Sequence, residues 1–176
     1  MESSELVRFE AVVLPHLDAA YTLARYLTRN EHDAEDVVQE ATLRALKHFG
    51  SFHGEAETTA RAWLLAIVRN TAYSSLRRPR ADAPAVEFDE ERHSGAVADD
   101  NPEADLLRSE ARESLARALE RLSPEFRTVI VLREVEGLSY KEISKVADVP
   151  VGTVMSRLSR ARKHLQEALG TDDQEP

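Results

Sequence analysis

Apolar residues recur at helical spacing along most of the chain, and the pattern breaks at a few polar or proline-bearing points. Leu6, Phe9, Val13, Leu17, Ala20, Ala24 and Leu27 form a first stripe. Pro15 lies inside it, and because proline lacks an N–H and crowds the preceding turn, the stripe is expected to kink or restart there. Asn30 or Asp33 can cap a second helix with Ala34, Val37, Val38, Ala41, Ala45, Leu46 and Phe49 on its apolar face and Gly50 at its end. A polar loop over residues 51 to 59 carries Phe52, His53 and Gly54. A third helix then turns Ala60, Trp63, Leu64, Ile67, Val68, Ala72 and Leu76 inward and Arg69, Asn70, Tyr73 and Arg77 outward.

From residue 79 to about residue 105 the periodicity disappears, and Pro79, Pro84, Gly95, Pro102 and nine acids suggest a flexible linker. The stripe resumes near Leu106 and runs through Leu107, Ala111, Leu115, Ala118, Leu119 and Leu122. Ser123 and Pro124 restart a helix bearing Phe126, Val129, Ile130 and Leu132, which Glu136 and Gly137 close. Ser139, followed three residues later by Glu142, is a capping box that starts a helix with Ile143, Val146 and Ala147 on one face. Asp148, Val149 and Pro150 interrupt it, and Pro150 suits the first position of the next helix. The buried stripe of that helix is expected to be Val151, Val154, Leu158, Ala161 and Leu165, and an acidic tail over residues 171 to 176 is expected to fray. No segment alternates with period two long enough to be a strand. The expected fold is therefore all-α, with two small helical domains at 1–78 and 106–170 joined by an acidic linker at 79–105.

Charge adds a division that the stripes do not show. The chain has 176 residues and a formal net charge of -9. Residues 81 to 108 hold two basic and nine acidic residues, so seven of the nine net negative charges fall in the middle. Residues 31 to 40 carry Glu31, Asp33, Glu35, Asp36 and Glu40 without a Lys or Arg, whereas residues 60 to 80 carry Arg61, Arg69, Arg77, Arg78 and Arg80 without an acid. Two partners of opposite charge would account for both patches; a solvated helix face would also account for the acidic one. There are no cysteines, which excludes disulfides and thiolate metal sites. No apolar run nears the ~20 residues of a membrane span, and the first residues lack a basic stretch leading into an apolar one, so a cytoplasmic protein without membrane insertion is expected.

The chemistry of residues 138 to 165 is that of a helix-turn-helix, a motif whose second helix lies in the DNA major groove. Opposite its buried stripe the second helix presents Thr153, Met155, Ser156, Arg157, Ser159, Arg160 and Lys163, with Arg162 at the edge. Residues 155 to 165 contain four cations and no carboxylate. Arg can pair with guanine, and small polar groups permit close approach to bases. The plainer alternative is a helical hairpin with a solvated basic face. Enzymatic parts are missing: the six histidines show no metal-ligand spacing, and there is no phosphate-cradling glycine loop or nucleophile elbow. No catalytic residue, metal or cofactor is expected.

Three stretches together resemble the extracytoplasmic-function sigma factors, two-domain promoter-recognition subunits of bacterial RNA polymerase. They are Asp33-Ala-Glu-Asp-Val-Val-Gln-Glu40, Trp63-Leu-Leu-Ala-Ile-Val-Arg-Asn70, and Tyr140-Lys-Glu-Ile-Ser continuing through Pro150-Val-Gly-Thr-Val-Met-Ser-Arg-Leu-Ser-Arg-Ala-Arg162. The resemblance implies a sigma-2 domain at 1–78 and a sigma-4 domain at 106–170. It implies that Asp33, Glu35, Asp36, Gln39 and Glu40 dock on the β′ clamp helices of core RNA polymerase. It further implies that Arg61, Arg69, Asn70, Tyr73, Arg77 and Arg78 face the minus-10 element of promoter DNA, with Asn70 at an extruded base. Trp63 and Tyr73 could stack on such a base; Trp63 lies on the inward stripe and reads as core, and Phe52 fits either place. In sigma-4, Thr153, Met155, Ser156, Arg157, Ser159, Arg160, Arg162 and Lys163 would face the minus-35 element. Met155, Ser156, Ser159 and Arg160 are the base-facing set, and Arg157, Arg162 and Lys163 hold phosphates. Phe126, Val129 and Leu132 would be shared between the core and a seat for the β flap.

Promoter elements one to two duplex turns apart lie ~35 to 70 Å from each other. About 27 flexible residues have a root-mean-square span near 30 Å and a limit near 90 Å, enough to serve both elements. Away from polymerase, the two domains are expected to close on each other or on an anti-sigma factor. Two other functions fit parts of the pattern. A helix-turn-helix repressor or activator leaves the acidic 31 to 40 run without a use, and a sigma-mimicking adaptor that sequesters an anti-sigma factor has no need of basic DNA-facing surfaces.

Overall fold

A computed structural model describes residues 3–54, 57–79 and 101–172, and every element in it is helical. In the N-terminal half α1 spans Ser3–Val13, α2 Leu17–Thr28, α3 Glu31–His48 and α4 Glu57–Arg77. Pro15 produces a restart, since a short 3-10 turn, Leu14–His16, separates α1 from α2. Of the two candidate caps for α3, Asn30 is the one used, and its side chain accepts the Asp33 N–H at 3.0 Å. Arg29 takes a left-handed conformation to end α2, donating its N–H to the Arg25 carbonyl. After α3, a second 3-10 turn delivers Phe49 and Phe52 into the core. Phe52 stacks on Phe49 and tilts against Trp63, with ring centroids 6.0 and 4.7 Å apart. Phe52 is therefore core, and Trp63 packs partly buried beside it. Gly54 permits this arrangement, because a Cβ there would lie 2.6 Å from the Phe52 ring.

The C-terminal half holds α5 (Pro102–Glu120), α6 (Pro124–Ile130), α7 (Tyr140–Ala147) and α8 (Val151–Asp172). The expectation that the linker extends to residue 105 is corrected at its end: Pro102 opens α5 and Asn101 caps it by accepting the Glu103 N–H. Both residues are turn formers in a disordered reading, yet they serve equally well as N-cap and first helical residue. Residues 80–100, which hold the rest of the expected linker, lie outside the described residues, as do residues 173–176 of the expected tail. Helix α8 continues past Gly170 to Asp172. The capping box forms with both of its hydrogen bonds, Ser139 Oγ accepting from the Glu142 N–H and the Glu142 carboxylate from the Ser139 N–H. Asp148, in a left-handed conformation, ends α7. Val154, Leu158 and Ala161 are buried as expected and Leu165 partly so, but Val151 is exposed because it sits in the first turn, ahead of the packing neighbours of α8. Between α6 and the turn at Gly137 the helix widens into a π-helical turn, Val131–Val135.

The two halves pack directly on each other, and their buried apolar residues form one continuous core. Helix α4 is the common element: it packs against α2 and α3 on one side and α7 on the other. Ala62 and Leu65 are consequently buried although the inward stripe omits them, and Leu76, placed on that stripe, is exposed at the far end. Removing a leucine such as Leu65 from water contributes roughly 2 kcal/mol. Polar contacts follow the same seam. Tyr73 Oη lies 2.8 Å from Thr128 Oγ1; the Thr128 hydroxyl already donates to the Pro124 carbonyl, so the tyrosine is the donor. Arg61 donates to the Glu136 carbonyl and to the Glu142 carboxylate, both at 3.4 Å. Arg127 is almost fully buried and donates to the carbonyls of Leu119, Glu120 and Leu122 at the end of α5, then across the seam to that of Tyr26. Burial, and next the neighbouring Arg29, pull its pKa below the ordinary guanidinium value, although Glu120 and Tyr73 oppose the shift.

Arg127→Leu should keep the volume but take a hydrogen-bond donor from four carbonyls, of which that of Leu119 keeps a backbone N–H, lowering unfolding stability by about 3 kcal/mol in urea titrations. A loss below about 1 kcal/mol would show that water replaces the guanidinium. The carboxyl of Glu136 gives a pH-dependent counterpart. Burial raises its pKa above the ordinary 4.5; Arg61 opposes this and Asp18 adds to it. Ionising Glu136 is therefore harder in the folded protein than in the unfolded chain, so its charge costs stability at neutral pH, and this cost disappears as pH falls below 4.5. Glu136→Gln is expected to raise the melting temperature at pH 7, with the gain shrinking as pH is lowered. A gain that grows on acidification would reverse the assignment.

Candidate nucleic-acid interface

Helix α8 packs against α5, α6 and α7, and its remaining face carries the residues singled out for a DNA groove. Met155, Ser156, Ser159, Arg160, Arg162 and Lys163 are exposed, and Thr153 and Arg157 are half-buried at the edges of the face. Ser156 donates its hydroxyl to the Thr153 carbonyl at 3.0 Å, a bond that a base edge could replace without moving the helix. Arg162 differs from the other cations. Its Nη2 lies 2.7 Å from Glu134 on the π-helical turn, and hydrogen bonds to Glu134 and then Tyr140 raise its pKa above the ordinary value. Arg162 therefore braces α8 against the preceding segment, and any phosphate it holds must share it with Glu134. Arg133, stacked over Tyr140 with its guanidinium carbon 4.9 Å from the ring centroid, stiffens the same corner and donates to the Leu138 carbonyl.

Helix α4 brings together Arg69, Asn70, Tyr73 and Arg77 near its C-terminal end, and Arg78 follows directly after it. Asn70, Arg77 and Arg78 are exposed. Arg69 donates to Asn70 Oδ1 at 2.8 Å, and its guanidinium carbon lies 4.4 Å from the centroid of the Tyr73 ring. The tyrosine is thus held between Arg69 and Thr128, where the intact seam keeps it from acting as an open stacking platform. Arg61 sits near the other end of α4, twelve residues before Tyr73, a rise of roughly 18 Å, so it does not join that cluster. Its contacts are with the C-terminal half: burial acts on Glu142 to raise its pKa, but hydrogen bonds from Ser139 and Arg61 outweigh this and hold the carboxyl below the ordinary range.

The acidic residues occupy the open face of α3. Glu35, Asp36 and Gln39 are exposed, Glu40 is half-buried and paired with Arg44 one turn on, and Asp33 lies at the helix start. Leu43 stands on the same face, 67% exposed, one turn beyond Gln39 and Glu40. Sequence reading passed over it, although its position off the apolar stripe of α3 was a usable signal. A large apolar side chain framed by carboxylates suits a docking surface better than a purely solvated face. Among the described residues no group of three or more His, Cys, Asp or Glu side chains could hold a metal ion, and no helix is long and apolar enough to cross a membrane.

Comparison with known proteins matches the same two regions. Residues 12–81 match Sigma-70 region 2 and residues 112–165 match Sigma-70, region 4. The chain is 39% identical over 150 residues to the ECF RNA polymerase sigma-E factor of Escherichia coli, covering 82% of this chain and 76% of that protein. It is 36% identical over 169 residues to the RNA polymerase sigma-H factor of Pseudomonas aeruginosa, covering 92% and 86%. Among solved structures, the sigma factor RpoE of Bartonella quintana, in complex with the anti-sigma factor NepR, is similar with a TM-score of 0.70 at 27% identity, covering 94% of this chain and 98% of that one. CnrH in complex with the cytosolic domain of CnrY is similar with a TM-score of 0.62 at 26% identity, covering 93% and 88%. The order of the two regions, the helix-turn-helix and the extent of these matches agree: the chain belongs to the extracytoplasmic-function sigma factors of RNA polymerase.

Proposed function

We propose that this chain is a non-enzymatic, dissociable subunit that directs core RNA polymerase to a set of promoters through the residues described above. The supporting observation is the presence, in one chain, of an open basic helix-turn-helix face on α8 and an open acidic face with an apolar centre on α3. The first suits DNA; the second suits a basic protein surface, for which the β′ clamp helices are the family's partner. Asp33, Glu35, Asp36, Gln39 and Glu40, with Leu43 among them, would dock on the clamp. Thr153, Met155, Ser156, Arg157, Ser159, Arg160 and Lys163 would read the minus-35 element, Arg162 assisting from its place beside Glu134. Arg69, Asn70, Arg77 and Arg78, together with Arg61 and Tyr73 once these leave their partners in the C-terminal half, would serve the minus-10 element.

Held by about four phosphates, the recognition helix alone has a salt slope of about -3.6, and the net charge of -9 opposes approach to DNA. Weak binding of free protein to DNA follows, and polymerase supplies the remaining affinity. The solved relatives RpoE and CnrH are each in complex with a second protein, an anti-sigma factor in the case of RpoE. By analogy an anti-sigma factor holds this chain inactive. A sigma-mimicking adaptor is the second reading, and the exposed arginines of α4 and α8 weigh against it.

Purified protein added to core polymerase on its own promoter is expected to restore specific initiation; an adaptor or an independent regulator gives none. Arg160→Ala is expected to lower that initiation about tenfold or more while binding to core polymerase is unchanged. Normal initiation by this variant would remove Arg160 from the base contacts.

A further inference from the structure

Among the described residues of α8, two large apolar side chains stand out to solvent, Val151 at 39% and Met155 at 53% exposure. Neither packs into the continuous core. They are four residues apart, so they are neighbours along one edge of the helix. Both lie in its first two turns, the end that a helix-turn-helix turns toward base edges. The residues beside them are small. Gly152 has no side chain, and a Cβ there would meet nothing within 4 Å, so the fold itself leaves that position open. Ser156 and Ser159 carry only short hydroxyl side chains. Met155 is therefore the longest side chain at this end of the exposed face, whereas the long cations Arg160 and Lys163 stand toward the other.

A thioether chain in that place has a restricted choice of partner on DNA. It carries no charge and donates no hydrogen bond, so it gains nothing from a phosphate or from the nitrogen and oxygen acceptors of the bases. Base edges in the major groove present one apolar group, the C5 methyl of thymine. Contact between that methyl and a methionine removes apolar surface from water on both sides, and the unbranched, flexible side chain can adjust to reach it. We propose that Met155, extended along the same edge by Val151, is a specificity-determining residue that selects thymine in the minus-35 element by contact with its C5 methyl. This rests on the assignment of α8 to minus-35 DNA made above. The reading face is then divided by chemistry: methyl contact at its N-terminal end, and hydrogen bonding to guanine through Arg160 beyond it. The two parts differ in their response to salt. Phosphate contacts by the cations weaken as counterions compete, but a methyl contact displaces no counterion, so the discrimination that Met155 supplies is the same at low and high salt.

The test uses the chain reconstituted with core polymerase and a library of promoters randomised across the minus-35 element. Promoters selected by the native chain should share a thymine. Replacing that thymine with deoxyuridine keeps the base pairing and removes only the methyl, and it should lower initiation about fourfold, the value of one buried methyl group, by a factor that does not change with salt. Met155→Ala should lose about as much on the thymine promoter and should initiate equally from thymine and deoxyuridine, whereas Met155→Leu should keep the distinction. Because position 155 is exposed and outside the core, both variants should melt as the native chain does. Normal initiation by the native chain with no loss at any deoxyuridine overturns the methyl contact and leaves the promoter assignment of α8 standing. A deoxyuridine loss that persists undiminished in Met155→Ala gives the methyl to another residue and overturns the role of Met155. If the native chain restores no specific initiation from any promoter of the library, the sigma reading fails and this inference falls with it.

Discussion

The structure depends on one helix being buried from two sides. Helix α4 packs against α2 and α3 on one side and α7 on the other with Leu64, Leu65, Val68 and Ala72 buried, so that a single continuous core serves both halves. A helix in that position cannot be amphipathic in the ordinary sense. Only a narrow strip remains for charge, and it is there that Arg61, Arg69 and Tyr73 lie. Arg61 and Tyr73 thus meet the C-terminal half, Arg69 lies against Tyr73, and Arg77 stays exposed at the end of the helix.

Polar groups at that border are satisfied in a graded way. Arg127 is committed: its guanidinium is shared among four carbonyls from two chain segments, and a buried cation so placed has no low-energy alternative. Tyr73 and Arg61 are bound less firmly, by a single hydrogen bond and by two long contacts. In polar bonding the α5–α6 corner is therefore tied more firmly than the α7 side, where the apolar packing of α4 on α7 carries the contact. The helix-turn-helix itself is stiffened independently by the capping box, by Arg133 on Tyr140 and by Arg162 on Glu134.

Local signals announced most of the elements because they act within a few residues. Pro15 lacks an N–H, Asn30 and Ser123 accept from backbone three residues on, and Ser139 with Glu142 closes a box; none needs the rest of the molecule. The misplacements arose where one residue type serves two states. Asn101 and Pro102 suit a loop as well as a helix start, and Gly170 is tolerated inside the end of a long helix. Phe52 in a polar loop gave no indication of its direction until Gly54 allowed the chain to fold its ring against Phe49 and Trp63.

Taken alone, the chain's order of residues determined the all-α class, the turn and capping points, the two-part organisation and the separation of acidic α3 from basic α4 and α8, since periodicity and charge are properties of neighbours in sequence. Tertiary structure decided which charged groups are open and which are engaged. Arg160 and Lys163 face outward, whereas Arg162, two residues from one and adjacent to the other, is tied to Glu134 twenty-eight positions away. Leu65, off the inward stripe, is fully buried in the continuous core, and Arg61 and Tyr73 meet partners 81 and 55 residues distant. Such pairings depend on how two independently patterned surfaces meet, and no local propensity carries that information.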